Sequence, residues 1–98
     1  MMLIKDLYSI DLVSEDKAII TLCDETHPVF KAHFPTNPIL PGFMNFDIVE
    51  KLFNIKITTI KKAKFLKTIE PNQTITYERE KNRFKVLCKD EVVVSFIL

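Results

Sequence analysis

The sequence predicts an α+β domain in which one short helix packs against an antiparallel sheet. Three observations predict it. β-branched and aromatic residues fill two stretches in the first third of the chain and four in its second half. The later stretches are separated by turns of two or three residues, which join neighbouring antiparallel strands. Only one segment, 43–53, has the apolar spacing of a helix.

Along the chain, residues 3–13 ("LIKDLYSIDLV") read as a first strand, and "SED" at 14–16 as a turn. Residues 17–23 ("KAIITLC") read as a second strand, which "DETHP" then breaks. Pro41 and Gly42 suit a helix start, because proline is pre-set for a first turn and its missing N–H costs nothing there. From Phe43 to Phe53 the apolar positions are 43, 44, 46, 48, 49, 52 and 53. Asp47, Glu50, Lys51 and Asn54 form one narrow polar stripe at i, i+3, i+4 and i+7. A helix this apolar should be mostly buried. A long strand is expected over 55–69, followed by strands at 74–80, 83–89 and 92–98. Asn82 and Asp90 can adopt the turn conformations that usually require glycine. The uncharged end "VVVSFIL" should lie near the sheet centre, or else an edge strand elsewhere pairs across a dimer.

Length and composition narrow the function. The 98 residues make one domain, 1–98. So short a chain buries only about 60–65% of its unfolded surface. Yet 47% of its residues are hydrophobic, so a homodimer or higher homo-oligomer is expected. A net charge of +1 gives no reason to expect nucleic acid or an acidic membrane as the main partner. No window approaches the ~20 apolar residues of a membrane span. "MMLIKD" does not resemble a signal peptide, and Cys23 and Cys88 read as reduced core thiols of a cytoplasmic protein. No His/Cys pattern suggests a metal.

The stretch His33–Asp47, "HFPTNPILPGFMNFD", holds three of the five prolines and the only glycine. Pro35, Pro38 and Pro41 push Phe34, Asn37 and Leu40 out of the helical region. A loop stiffened in this way holds a catalytic imidazole at low entropic cost. It runs into a helix start whose N–H groups carry partial positive charge. Gly42 lets a ligand oxygen approach the backbone, and an enolate developing on a thioester carbonyl would suit that place. Burial of Asp47 would favour its protonated form and let it act as an acid. The bland alternatives are a structural histidine and an ordinary Asp47–Lys51 surface pair worth ~0.3–0.5 kcal/mol.

These residues resemble the signature of the hotdog-fold 3-hydroxyacyl-acyl-carrier-protein dehydratases, HFPxxPxxPG followed by a helix bearing an acid. His33, Phe34, Pro35, Pro38, Pro41 and Gly42 match it, with Ala32 where glycine is usual. "KKAKFLKTIEPNQTI" resembles the family's segment after the central helix, so the likeness covers most of residues 27–98. The resemblance implies a hotdog fold, with the helix wrapped by a sheet and the site at a dimer interface. It implies that His33 removes the proton alpha to the thioester and that Asp47 helps expel the beta-hydroxyl as water. The Gly42 N–H would hold the thioester oxygen, with Phe43 and Phe34 also against the substrate. No metal or redox cofactor is implied. An acyl carrier protein is the implied partner, and Lys62, Lys64 and Lys67 are candidates for docking its acidic surface. His27 reads as structural.

Two departures qualify the likeness. Lys51 stands where the family usually has Gln, and it would favour the charged carboxylate at Asp47. The central helix and the segment after it are shorter than in the fatty-acid enzymes, which points to a specialised acyl or polyene pathway. Two rivals follow: a hotdog acyl thioesterase, and a non-catalytic acyl-binding subunit.

Overall fold

The computed structural model describes residues 4–32 and 36–98. The expectations for His33, Phe34 and Pro35 lie outside the described residues. Six strands and two helices follow in the order β1 (Tyr8–Val13), β2 (Lys17–Leu22), α1 (Pro28–Ala32), α2 (Met44–Phe53), β3 (Lys62–Phe65), β4 (Thr74–Glu80), β5 (Arg83–Cys88) and β6 (Glu91–Ile97). The strands form one sheet in the order β1-β2-β4-β5-β6-β3, antiparallel throughout. One helix laid on such a sheet is the hotdog arrangement expected from the sequence.

Alternation assigns the two faces of the sheet. Ala18, Ile20 and Leu22 of β2, Ile75 and Tyr77 of β4, Phe84, Val86 and Cys88 of β5, and Val94 and Phe96 of β6 are buried on the inner face. Met44, Ile48, Val49 and Leu52 of α2 join the same core. Among the described residues three edge-to-face ring pairs tie helix to sheet: Phe46–Phe96 at 5.0 Å, Phe53–Phe84 at 5.6 Å and Phe46–Phe65 at 6.1 Å. Fully burying a side chain such as Phe84 or Phe96 contributes about 1.5–3 kcal/mol relative to exposure. This core therefore holds α2 in place more strongly than any single hydrogen bond.

The helix comes out as expected, one residue shorter at its start. The final strand β6 is paired on both sides, by β5 and β3, so its apolar run meets no open edge. The strand expected over 55–69 shrinks to Lys62–Phe65. Asn54 closes α2 in the left-handed conformation, and the Glu50 carboxylate accepts the Ile57 N–H at 2.7 Å. Ile55 and Ile57 then pack against the core from the helix end. Their alternation reflects that packing, not a sheet ladder. The first strand also begins later than expected, at Tyr8, after a turn in which Leu7 N–H donates to Ile4 O.

The Lys89–Asp90 turn has both residues at positive φ, 53° and 63°, as a two-residue hairpin requires. In the β4–β5 hairpin Lys81, not Asn82, takes the left-handed conformation at φ 56°. Asn82 instead donates its side-chain amide to Leu98 O at 2.8 Å. Helix α1 was not expected. Its signals lie within the break itself: His27 Nδ1 accepts the Val29 N–H at 3.0 Å as a cap, and Pro28 opens the helix. No helix among the described residues is long and apolar enough to cross a membrane.

Candidate functional site

The start of α2 is tightly wound. Met44, Asn45 and Phe46 donate their N–H groups to Pro41, Gly42 and Phe43 carbonyls at 3.0–3.1 Å. These are three-residue closures that tighten a first turn. The loop before it is anchored by Leu40, a buried residue whose N–H donates to Ile69 O at 2.7 Å. Gly42 is half-buried, and its φ is not positive, so the backbone conformation does not demand glycine. The demand is steric: a Cβ there would lie 2.7 Å from Cδ1 and Cε1 of Phe65. Among the described residues no acceptor takes the Gly42 N–H.

Asp47 lies in the first turn of α2 and is half-buried. Lys51, one turn on, is exposed. Among the described residues the single ion pair is Lys67–Glu91, so Asp47 and Lys51 do not pair. The rings of Phe43 and Phe65 are 52% and 53% exposed. With Leu66, also exposed, they form an apolar rim along β3. That strand pairs with β6 on one side and ends the sheet on the other. An apolar rim on an unpaired edge is the composition of a protein interface.

The three candidate docking lysines separate. Lys62 and Lys64 stand on the outer face of β3, opposite Ile97 and Ser95 of β6. Arg83 and Lys85 of β5 flank the same two residues from the other side. The four cations, with Ser95 and Ile97, line a shallow depression of about 190 Å³. Lys67 lies past the end of β3 and is bound to Glu91. That pairing holds the Glu91 carboxyl below the usual carboxylate range and removes Lys67 from the free cationic cluster.

Asn45 escaped the sequence reading. It is wholly buried in the helix face. Its Nδ2 donates to Gly42 O at 3.0 Å, and its Oδ1 accepts the Tyr77 hydroxyl at 2.8 Å. Burial pushes the Tyr77 phenol far above its ordinary range, so it stays a donor. The available signal was an amide among apolar helix positions, off the Asp47 stripe.

His27 is structural, as expected. Because its Nδ1 accepts from Val29, the proton sits on Nε2, which donates to Lys5 O at 2.6 Å. Cys23 and Cys88 are free thiols, and burial pushes both above the usual thiol range. Neither is an activated nucleophile.

Residues 11–96 match the family model described as ApeI-like, ApeI dehydratase. No curated protein sequence matches the chain. Among solved structures, one chain of the dehydratase heterocomplex ApeI:P from Xenorhabdus doucetiae superposes with a TM-score of 0.67 at 22% identity, covering 94% of each chain. An uncharacterized protein from Erwinia carotovora subsp. atroseptica superposes with a TM-score of 0.53 at 20% identity, covering 90% of this chain and 86% of that one. Both likenesses establish the shared fold.

Proposed function

This chain belongs to the ApeI-like dehydratase family, and from that premise we propose that it dehydrates 3-hydroxyacyl thioesters carried on an acyl carrier protein. The observation that carries the reading is the start of α2. There the N–H of Gly42, unpartnered among the described residues, and the half-buried carboxyl of Asp47 share one helix end.

The step is an elimination. His33 takes the proton alpha to the thioester carbonyl, and the electron pair left behind is delocalised onto the carbonyl oxygen. The Gly42 N–H holds that oxygen at the positive end of α2. As the electrons return to form the alkene, the carbon–oxygen bond at the beta position breaks. Asp47 hands its proton to the departing hydroxyl, which leaves as water. Phe43 and Phe34 lie along the acyl chain in this reading. The products are a trans-2-enoyl thioester and water, and no outside oxidant or reductant is required.

A second hotdog subunit completes the site. The apolar rim of Phe43, Phe65 and Leu66 on the open edge of β3 supports this. So does the assembly of the Xenorhabdus doucetiae dehydratase as a heterocomplex. The carrier protein docks on the outer-face cations Lys62, Lys64, Arg83 and Lys85. The short helix of ten residues supports a shallow acyl site and a specialised, polyene-type pathway.

The rivals share the fold and differ in product. Incubation with a carrier-bound 3-hydroxyacyl thioester separates them. Formation of the conjugated enoyl thioester supports the dehydratase. Release of free thiol identifies a thioesterase, and binding without either product identifies an acyl-binding subunit.

A further inference from the structure

Gly42 poses a mechanical problem. It is the only glycine in the chain, and glycine has the widest backbone freedom of any residue. A donor stabilises a developing oxyanion only if it is aimed beforehand. The donor's own peptide plane, Pro41–Gly42, is held at its carbonyl end by the Met44 N–H at 3.0 Å, but the plane that follows can still turn about the glycine and pull on it.

The restraint comes from the carbonyl side. Asn45 donates twice to Gly42 O, through its backbone N–H at 3.1 Å and its Nδ2 at 3.0 Å. The Asn45 amide would be free to turn about its own bond, but its far end is held. Tyr77 donates to Asn45 Oδ1 at 2.8 Å. Tyr77 belongs to β4, which is hydrogen-bonded to β2 on one side and β5 on the other. Both side chains have no solvent exposure. An apolar pair of the same shape would fill this space without desolvating a hydroxyl and an amide. The polar chain ends on the one carbonyl that belongs to Gly42.

We propose that Tyr77 and Asn45 are positioning residues that clamp Gly42 to the sheet and so pre-aim its N–H for the thioester oxygen. The proposal rests on the reading of Gly42 given above. The ring of Phe65 closes the side of Gly42 where a Cβ would stand, so the residue is confined from both directions.

The single glycine supplies a direct probe. Protein labelled with [1-13C,15N]glycine gives one amide and one carbonyl resonance, both from Gly42. These are followed in Tyr77→Phe, in Asn45→Leu and in the double variant, beside the melting temperature and the turnover of a 3-hydroxyacyl N-acetylcysteamine thioester. In Tyr77→Phe the Gly42 lines move and broaden, Tm drops, and kcat falls roughly tenfold while KM stays within about twofold. The double variant leaves no buried polar group unpaired, so Tm recovers. Its Gly42 lines and kcat stay altered, because the clamp is still absent.

Recovery of kcat and of the Gly42 lines together with Tm would make the pair purely structural and overturn the proposal. Unmoved Gly42 lines in Tyr77→Phe would do the same. If the wild-type protein leaves the thioester untouched, the dehydratase reading fails, and the Gly42 resonances alone still decide the clamp.

Discussion

The ring of Phe65, on the edge strand β3, occupies the space that a side chain at Gly42 would need, with its Cδ1 and Cε1 2.7 Å from that position. Replacing Gly42 with Ala must therefore push the ring aside and break its edge-to-face contact with Phe46, now at 6.1 Å. Phe65 is half-exposed at an open edge and can swing outward, so the stability cost falls near the low end of overpacking, about 1 kcal/mol. Turnover should fall further than stability, since Gly42 is the proposed donor to the thioester oxygen. Urea unfolding of Gly42→Ala, Phe65→Ala and the double variant forms a cycle whose coupling is favourable if the two residues compete for one space. Additive costs would contradict that contact.

The turn before α1 should respond to acid. Thr26 donates its hydroxyl and its backbone N–H to the Asp24 carboxylate, which holds that group below its ordinary value of 3.8. A carboxylate with a depressed folded value contributes stability above its unfolded value. That contribution is lost as pH falls through the folded value. Between about pH 4 and the lowered value, the Tm of the wild type should therefore fall more steeply than that of Asp24→Asn. Parallel profiles in that window would show that the turn does not depend on the charge.

Charge reversal tests the outer face of the sheet. Lys62→Glu with Lys64→Glu should slow turnover of a carrier-bound substrate by roughly tenfold or more at low salt. It should leave turnover of a small thioester analogue within about twofold, because both lysines point away from the α2 face of the sheet. Lys67→Glu should have the smaller effect, since Lys67 is already held by Glu91. Equal losses on both substrates would place the docking surface elsewhere.

Much of the fold was legible because a few residues carry strong local signals. The alternation of Phe84, Val86 and Cys88, or of Ile75 and Tyr77, has one physical explanation, a half-buried strand. The span 55–61 misled for the same reason. Ile55 and Ile57 alternate because they pack from the helix end, and nothing local distinguishes that from a strand. Helix α1 was hidden because its cap is a histidine nitrogen instead of a Ser, Thr or Asp oxygen. What motif spacing made legible of the candidate site is that Gly42 and Asp47 share the start of α2; their roles there are the proposal. The long-range bond from Tyr77 to Asn45 was not legible, because sequence spacing cannot show which helix residue meets which strand residue. Lys51 stands exposed and forms no ion pair with Asp47 among the described residues, a side-chain placement that spacing alone cannot show.

The central claim is that His33 is the base of a dehydration. The most direct measurement is the ultraviolet absorbance of the conjugated enoyl thioester formed from a 3-hydroxyacyl thioester, followed for the wild type and for His33→Ala at matched Tm. The account predicts steady formation by the wild type and a loss of roughly 10²–10⁴-fold in the variant. A variant that forms the alkene at the wild-type rate would contradict it.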